Sequence, residues 1–254
     1  MQDHSVFEPD GQRKIAYHRT MAEGDGVGKP GIVFLGGYSS DMTGTKAVWL
    51  EDWARARGRA FLRFDYQAHG ASSGDWADGC IGAWSRDAFD IIAALTDGPQ
   101  ILVGSSMGGW MSLLMAKRMP ERVAGIVGIA AAPDFTEDGM YADFTDAQRE
   151  MLELDGQVAL ESDYDPEPYI VTKHFIEEGR DHLVLRSPLS LPFPVRFLQG
   201  TADTAVSVET AVRLLEHATG PDMQLQLVKD ADHRFSDGPC LGLIVDALEQ
   251  VLEA

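Results

Sequence analysis

The 254-residue chain has little positive charge, two cysteines and no long apolar run. It carries 21 Lys and Arg against 40 Asp and Glu, a net charge of −19. This balance argues against a nucleic-acid partner, because phosphate neutralisation requires clustered basic side chains, and against docking on anionic lipid. No apolar run approaches the roughly 20 residues that span a bilayer, so the sequence predicts no membrane span.

The same scarcity bears on redox compartment and cofactors. Cys80 and Cys240 are too few for a disulfide framework or a structural zinc site. The first residues lack the basic-then-apolar pattern of a secretory signal peptide. These features predict a reduced, cytoplasmic protein, and the sequence implies no metal or organic cofactor.

What the sequence does contain is a regular alternation of short aliphatic runs and longer amphipathic stretches. This alternation is typical of βα repeats around a mostly parallel sheet. The predicted strands are Lys14–Arg19, Ile32–Leu35, Ala60–Phe64, Ile101–Gly104, Val123–Ala130, Val195–Leu198 and Gln224–Val228. The predicted helices between them are Thr45–Arg57, Ile81–Leu95, Met107–Arg118, Val208–His217 and Leu241–Leu252.

The alternation is interrupted between residues 133 and 194, where no central strand is predicted. Thr145–Leu154 and Tyr169–Glu178 both show helical periodicity there, and a structureless loop of this length would be unusual in a compact domain. We therefore predict a helical cap at 133–194, inserted into a core of residues 1–132 and 195–254. Residues 134–168 hold twelve acidic residues and one basic residue, which is typical of a solvated acidic surface.

The most informative motif is a Gly-x-Ser-x-Gly turn within Ile101–Trp110. A buried strand precedes Ser106 and a helix follows it, the context expected of a nucleophilic serine raised on a sharp turn. Gly104 and Gly108 relieve the crowding on either side of that serine. Ser105 is the neighbouring alternative, but no glycine lies two residues before it.

A serine nucleophile needs a histidine base and an acid. In chains with this motif the acid follows the serine, and the histidine follows the acid. His233 lies in a polar loop after a predicted strand, where a general base can reach the carboxyl edge of the sheet. His217 falls instead on a predicted helix. Two aspartates follow strand ends: Asp203, beside the Gly200 turn, and Asp134, after the strand Val123–Ala130.

Stabilising a developing oxyanion needs two backbone N–H groups near the serine. Met107 opens the helix after Ser106 and supplies one of them. The strand Ile32–Leu35 ends in two glycines, so the second donor is expected to be the N–H of Tyr38, or else that of Gly37. Gly37 and Trp110 are predicted to contact the substrate.

Taken together, these residues resemble those of the serine hydrolases of the α/β-hydrolase superfamily. The resemblance is strongest to the group containing the mitochondrial acyl-protein thioesterase that also cleaves acyl glucuronides. It rests on Gly44–Ala47, Arg63–Tyr66, the long run Asp97–Trp110, and Asp232–Arg234, and it covers most of the chain outside the cap. The resemblance implies an α/β-hydrolase fold, with a mostly parallel sheet, helices on both faces and a small helical cap.

The same resemblance assigns roles to the candidate residues. It implies Ser106 as nucleophile, Asp203 as acid and His233 as base, with the N–H groups of Tyr38 and Met107 forming the oxyanion hole. The implied activity is hydrolysis of a small acyl ester or thioester, with an acylated protein as a further candidate substrate. An acyltransferase, a carbon–carbon bond hydrolase and a binding protein with an inactive triad are the alternatives.

Overall fold

The computed structural model describes residues 4–161 and 168–254. In these two ranges the strands are β1 (Ser5–Phe7), β2 (Ile15–Thr20), β3 (Gly31–Leu35), β4 (Phe61–Phe64), β5 (Gln100–Ser105), β6 (Val123–Ile129), β7 (Gln157–Leu160), β8 (Tyr169–Thr172), β9 (Leu189–Ser190), β10 (Val195–Gly200), β11 (Ala218–Thr219) and β12 (Met223–Val228). The α-helices are α1 (Thr45–Ala56), α2 (Ile81–Leu95), α3 (Met107–Arg118), α4 (Asp146–Asp155), α5 (Lys173–Gly179), α6 (Val208–His217) and α7 (Gly238–Glu253).

The central sheet has eight strands in the order β1-β2-β4-β3-β5-β6-β10-β12. The last six strands in this order, β4-β3-β5-β6-β10-β12, run parallel to one another. β2 is antiparallel to both of its neighbours, β1 and β4. Because the carboxyl ends of parallel strands share one edge, the loops after β3, β5, β10 and β12 gather there. This edge is where the candidate residues lie.

Helices cover both faces of the sheet. Leu50 of α1 and Leu248 of α7 belong to the apolar cluster on one face, whereas Ile91 of α2 and Met111 of α3 belong to the cluster on the other. The α/β architecture predicted from the sequence is therefore confirmed. Over the described residues, no helix combines the length and the apolar character needed to cross a bilayer.

The seven predicted core strands and five predicted core helices are confirmed, with ends that move by up to three residues. The predicted helix Tyr169–Glu178 is wrong in its first four residues, which form β8 and pair antiparallel with β7. Ile170, Val171 and Thr172 are β-branched and prefer extended backbone. The helix α5 begins only after Thr172, whose hydroxyl caps it by accepting the N–H of Phe175 at 3.1 Å.

The segment between β6 and β10 leaves the central sheet and packs over its carboxyl edge. Glu178 at the end of α5 joins this segment to the core, since its carboxylate accepts the N–H of Gly82 at 3.0 Å at the start of α2. His182 contacts the same carboxylate at 2.7 Å. Burial would raise the pKa of Glu178, but the bonds from His182 and Gly82 outweigh it and hold that pKa below its ordinary value.

Part of the acidic stretch 134–168 is neutralised by arginines that lie beyond it in the sequence. Arg180 binds Glu137 at 2.7 Å, and Arg186 and Arg213 each bind Asp138 at 2.7 Å. These two carboxylates, which precede α4, are therefore ion-paired and not simply solvated. Composition counted along a window misses such pairs, because the partners are distant in the chain and close in the fold.

Candidate active site

Ser106 lies at the turn from β5 into α3, with φ 55° and ψ −118°. This conformation costs a non-glycine residue on the order of 1–3 kcal/mol and persists only where the surroundings enforce it. The end of β6 enforces it here. The N–H of Ser106 donates to the carbonyl of Ile129 at 2.9 Å, and the carbonyl of Ser106 accepts the N–H of Ala132 at 3.1 Å.

The two flanking glycines allow the strand and the helix to approach closely around this turn. A Cβ on Gly104 would lie 2.2 Å from the carbonyl oxygen of Gly108, and one on Gly108 would lie 2.0 Å from that of Leu35. Both distances are shorter than any real Cβ contact. The structure thus requires glycine at both positions, for the steric reason inferred from the motif.

Replacing Gly104 with alanine is expected to lower the free energy of unfolding by about 3 kcal/mol, because the added methyl meets backbone that cannot move. Gly242→Ala is the matched control, since a Cβ there meets nothing within 4 Å and the position lies within α7. That control should raise the free energy of unfolding by up to about 1 kcal/mol. Urea denaturation measures both, and equal stability of the two variants would contradict the steric argument.

The structure brings Ser106, His233 and Asp203 into one chain of hydrogen bonds. His233 follows β12 and Asp203 follows β10, so neighbouring strands deliver both side chains to the same edge. The Nε2 atom of His233 lies 3.1 Å from the hydroxyl of Ser106, and its Nδ1 atom lies 2.9 Å from a carboxylate oxygen of Asp203. This is the geometry in which an imidazole can take a proton from a serine.

The carboxylate of Asp203 is fully buried and held from several sides. The amide of Gln199 donates to one oxygen at 2.9 Å, and the N–H of Val206 donates to the other at 2.8 Å. Burial alone would raise the pKa of Asp203, but the bonds from His233 and Val206 outweigh it and hold that pKa below its ordinary value. Asp203 is therefore ionised and oriented toward the imidazole.

Asp134, the rival acid, has a different partner set. Its two oxygens accept the N–H groups of Val184 at 2.7 Å and Leu185 at 3.0 Å, and Arg186 adds a bond at 3.0 Å. The side chain is fully buried, so it lies beneath the inserted segment and not at an exposed acidic mouth. Asp134 ties that segment to the end of β6, and burial raises the pKa of its carboxyl.

The proposed oxyanion donors flank Ser106. Met107 is the first residue of α3, where backbone N–H groups have no partner within the helix. A Cβ built on Gly37 would lie 3.4 Å from the Cβ of Ser106, which places the Gly37–Tyr38 backbone beside the serine. The Tyr38 ring packs against Trp76, Trp84, Phe135, Tyr169 and Phe175, with centroids 5.0–5.9 Å away.

A cavity of about 550 Å³ opens above Ser106 and His233. Gly37 lines it, and its contact with substrate stays a prediction. Trp110 does not line it: its side chain is fully buried and its Nε1 donates to the carbonyl of His182 at 3.1 Å. The predicted substrate role of Trp110 is wrong, because α3 is buried between the sheet and the inserted segment and Trp110 packs into that interface.

Sequence reasoning missed other residues of this cavity. Lys46, in the first turn of α1, lines it and donates from Nζ to the carbonyl of Arg234, so it fastens the loop that carries His233. Burial lowers the pKa of Lys46 to about 8. Its place within Gly44–Ala47, one of the runs that carry the family resemblance, was a usable signal. Phe135, Met140 and Tyr169 of the inserted segment also line the cavity, and no motif marks them.

The described residues contain no group of three His, Cys, Asp or Glu side chains close enough to hold a metal ion.

A profile described as the alpha/beta hydrolase fold matches residues 32–164, which include the serine turn and the loop after β3. The chain belongs to the α/β-hydrolase family. Its eight-stranded, mostly parallel sheet agrees with that membership.

Curated relatives of this α/β hydrolase extend over most of its length. The rat protein named palmitoyl-protein thioesterase ABHD10, mitochondrial, is 36% identical over 240 residues, covering 94% of this chain and 79% of the relative. The human protein of the same name is 36% identical over 225 residues, covering 88% of this chain and 73% of the relative. The predicted enzyme class, a hydrolase of esters or thioesters, is thereby confirmed.

Solved structures agree with this hydrolase along the whole fold. A putative hydrolase from Agrobacterium vitis S4 superposes with a TM-score of 0.92 at 36% identity, covering 98% of each chain. Mouse α/beta hydrolase domain-containing protein 10 superposes with a TM-score of 0.90 at 33% identity, covering 99% of this chain and 98% of its own. The cytoplasmic location expected from the sequence stays a prediction, as the curated names place those relatives in mitochondria.

Proposed function

We propose that this protein is a serine esterase or thioesterase that forms an acyl-enzyme on Ser106. The observation that carries the proposal is the hydrogen-bonded chain from Ser106 through His233 to Asp203, at the mouth of a cavity large enough for an acyl group. A strained serine presented beside an imidazole base is the arrangement that makes a weak hydroxyl nucleophilic.

In the acylation step, Ser106 Oγ attacks the acyl carbonyl while His233 Nε2 takes the hydroxyl proton. The carbonyl oxygen becomes an oxyanion, which the N–H groups of Tyr38 and Met107 stabilise. Asp203 stays ionised, holds the imidazole through Nδ1–H and stabilises the imidazolium. His233 then gives its proton to the departing alcohol or thiol, and the acyl group remains on Ser106.

In the deacylation step, His233 takes a proton from a water molecule, and the resulting nucleophile attacks the acyl carbon. The same two N–H groups stabilise the second oxyanion. Collapse of that intermediate breaks the bond to Ser106 Oγ, which recovers its proton from His233. The acid is released and the enzyme returns to its starting state, with no step that needs a metal or an organic cofactor.

The lining of the cavity divides into an apolar part and a polar part. The apolar part is formed by Ala132, Phe135, Met140, Tyr169 and Val206. We propose that it holds the acyl chain, since apolar surface favours an alkyl group over water. The volume of about 550 Å³ lies in the range of ordinary ligand sites and leaves room for a long chain.

The polar part of the cavity is formed by Ser40, Thr45, Lys46, Arg234 and Ser236. We propose that it receives the leaving group, because these side chains can hydrogen-bond a polar alcohol or thiol. Relatives of this chain are named palmitoyl-protein thioesterases. Long-chain acyl thioesters, including acylated cysteines of proteins, are therefore the first substrates to test.

A fluorophosphonate probe and a substrate panel test the proposal together. The probe should label Ser106 stoichiometrically, as located by peptide mass spectrometry, and should abolish hydrolysis in proportion to labelling. The panel consists of p-nitrophenyl esters from acetate to palmitate with matched thioesters. We expect kcat/KM to rise with chain length until the apolar part is filled. A folded protein that neither labels nor hydrolyses any member would show a binding protein instead.

A further inference from the structure

The loop that carries the proposed oxyanion donor is held by buried polar side chains from β4 and from the chain just after it. This loop, residues 36–44, is the oxyanion loop. Arg63 donates to the carbonyl of Met42 at 2.6 Å, and Asp65 accepts the N–H of Met42 at 2.6 Å. His69 accepts the N–H of Ser39 through Nε2 at 3.2 Å. Each of the three residues is at most 4% exposed.

The His69 contact lies one peptide unit from the proposed donor. Ser39 follows Tyr38 directly and has φ 55°, a conformation that L residues rarely adopt without support. Ser40 closes the turn by donating its N–H to the carbonyl of Gly37 at 3.3 Å. The direction of the Tyr38 N–H therefore depends on this strained turn. The side chain that holds the Ser39 N–H in the turn is His69.

The contacts of His69 define its tautomer. Its Nδ1 lies 2.9 Å from the carbonyl of Gln67, which can only accept, so Nδ1 carries the proton. Its Nε2 faces a backbone N–H, which can only donate, so Nε2 must be unprotonated. The ring packs between Tyr66, Trp76 and Trp84, with centroids 5.0–5.6 Å away. Burial in this aromatic setting lowers the pKa of His69.

Several titratable and charged groups lie on the segments packed around His69. Asp87 accepts the N–H of Gln67 at 2.8 Å and binds Arg13 at 2.8 Å. Asp65 accepts the N–H groups of Met42 and Ala71. The others on these segments are Asp41, Arg63, Tyr66, Asp75 and Asp78. His69 is thus the group of this environment whose protonation directly opposes the bond to the Ser39 N–H, whereas Asp65 accepts the N–H of Met42 farther along the same loop.

We propose that His69 is a positioning residue for the oxyanion hole: its neutral imidazole holds the Ser39 N–H, and protonation releases the oxyanion loop. The inference rests on the proposed serine-hydrolase function. A proton on Nε2 would place two donors face to face, so the turn at Ser39 would lose its anchor. Turnover should then depend on two imidazoles, with His233 neutral to accept a proton and His69 neutral to hold the loop.

The sign of the pH effect follows from the lowered pKa. At neutral pH the ring is unprotonated and the bond to Ser39 is intact. An unfolded chain takes up this proton at the ordinary histidine pKa of about 6.5, whereas the folded chain does so only at lower pH. The stabilising contribution of neutral His69 is therefore present above pH 6.5, declines below it, and is fully lost once pH falls through the folded pKa.

Two variants separate the acceptor from the ring. His69→Gln keeps an acceptor, since the Gln Oε1 can reach the place of Nε2, and it cannot be protonated. His69→Leu keeps the approximate volume and has no acceptor. His182→Gln is the matched control, because His182 is a half-buried histidine whose ring binds Glu178 away from the oxyanion loop. Each variant is measured for kcat and KM on one aryl ester from pH 4.5 to 8, with folding checked by urea denaturation.

For His69→Leu we expect kcat to fall about 10- to 100-fold with KM within about threefold, because an oxyanion donor acts on the transition state. His69→Gln should stay within about threefold of the wild-type kcat at pH 7.5. On the acid side, log kcat of the wild type should fall with a slope steeper than one against pH while His69 takes up its proton, whereas the slope for His69→Gln should not exceed one. The His182→Gln control should follow the wild type.

The results that would contradict the role of His69 can be told apart from those that would contradict the proposed function. Absence of fluorophosphonate labelling at Ser106 in the wild type would remove the proposed function and this inference with it. Labelling at Ser106 together with a normal kcat in His69→Leu, or a slope as steep as that of the wild type in His69→Gln, would overturn this inference alone. If His69→Leu does not fold, the comparison of slopes between wild type and His69→Gln decides.

Discussion

Replacing Ser106 with alanine is expected to lower kcat for ester and thioester hydrolysis by about 10⁶-fold. The free energy of unfolding should change little, because alanine adopts the same φ of 55° at the same cost and the hydroxyl's one described contact is with His233 at 3.1 Å. Burst-free steady-state rates on one aryl ester, with urea denaturation of the same sample, measure both quantities. Activity above a few per cent of wild type would show that Ser106 is not the nucleophile.

Ser105→Ala is the matched companion to that variant. Ser105 is the last residue of β5 and is buried, and it was the neighbouring alternative for the nucleophile. Its variant should still be labelled by a fluorophosphonate at Ser106 and should retain most of the activity. Loss of labelling in Ser105→Ala with labelling kept in Ser106→Ala would shift the nucleophile by one residue.

Replacing Asp203 with asparagine is expected to lower kcat by about 10⁴-fold with the fold preserved. An amide of the same shape can donate to His233 Nδ1, which stabilises the wrong tautomer and leaves Nε2 unable to accept the proton of Ser106. Asparagine also carries no charge to stabilise the imidazolium. The measurement is kcat against pH on the same aryl ester, and a near-normal value would remove Asp203 from the mechanism.

Asp134→Asn separates the two aspartates by a different readout. At Asp134 the two oxygens accept Val184 and Leu185, and an amide would turn a donor toward one of those N–H groups. We expect a loss of about 1–3 kcal/mol in the free energy of unfolding, with kcat of the folded enzyme within about tenfold of wild type. A collapse of kcat in Asp134→Asn, with near-normal turnover in Asp203→Asn, would move the acid to the loop after β6.

The core of the fold and the three central side chains were predictable because they obey local rules. Strands such as β5 are continuous apolar runs. The turn at Ser106 needs glycine two residues before and two residues after the serine, and the sequence has both. Asp203 and His233 could be placed because each follows a strand whose carboxyl end faces the same edge. These rules depend on neighbours along the chain, which the sequence displays.

The inserted segment was less predictable because its contacts are distant in the chain. Asp134 follows a strand end just as Asp203 does, and only the N–H groups of Val184 and Leu185, about fifty residues later, show that its carboxylate is used to hold the fold. Trp110 was predicted to contact the substrate, yet its indole is buried beneath the inserted segment and its Nε1 donates to the carbonyl of His182. His69 gave no motif at all, since its importance comes from a backbone N–H thirty residues earlier. Long-range burial decides each of these cases.

The left-handed backbone of Ser106 sets stability against activity at a single residue. Glycine at this position would relieve the steric cost of φ 55° and is expected to make the protein more stable, by on the order of 1 kcal/mol. A search for thermostable variants that ignored turnover would therefore reward the loss of the proposed nucleophile. Serine at this site is a residue that backbone stability alone would not favour, as expected if its hydroxyl is kept for the proposed chemistry.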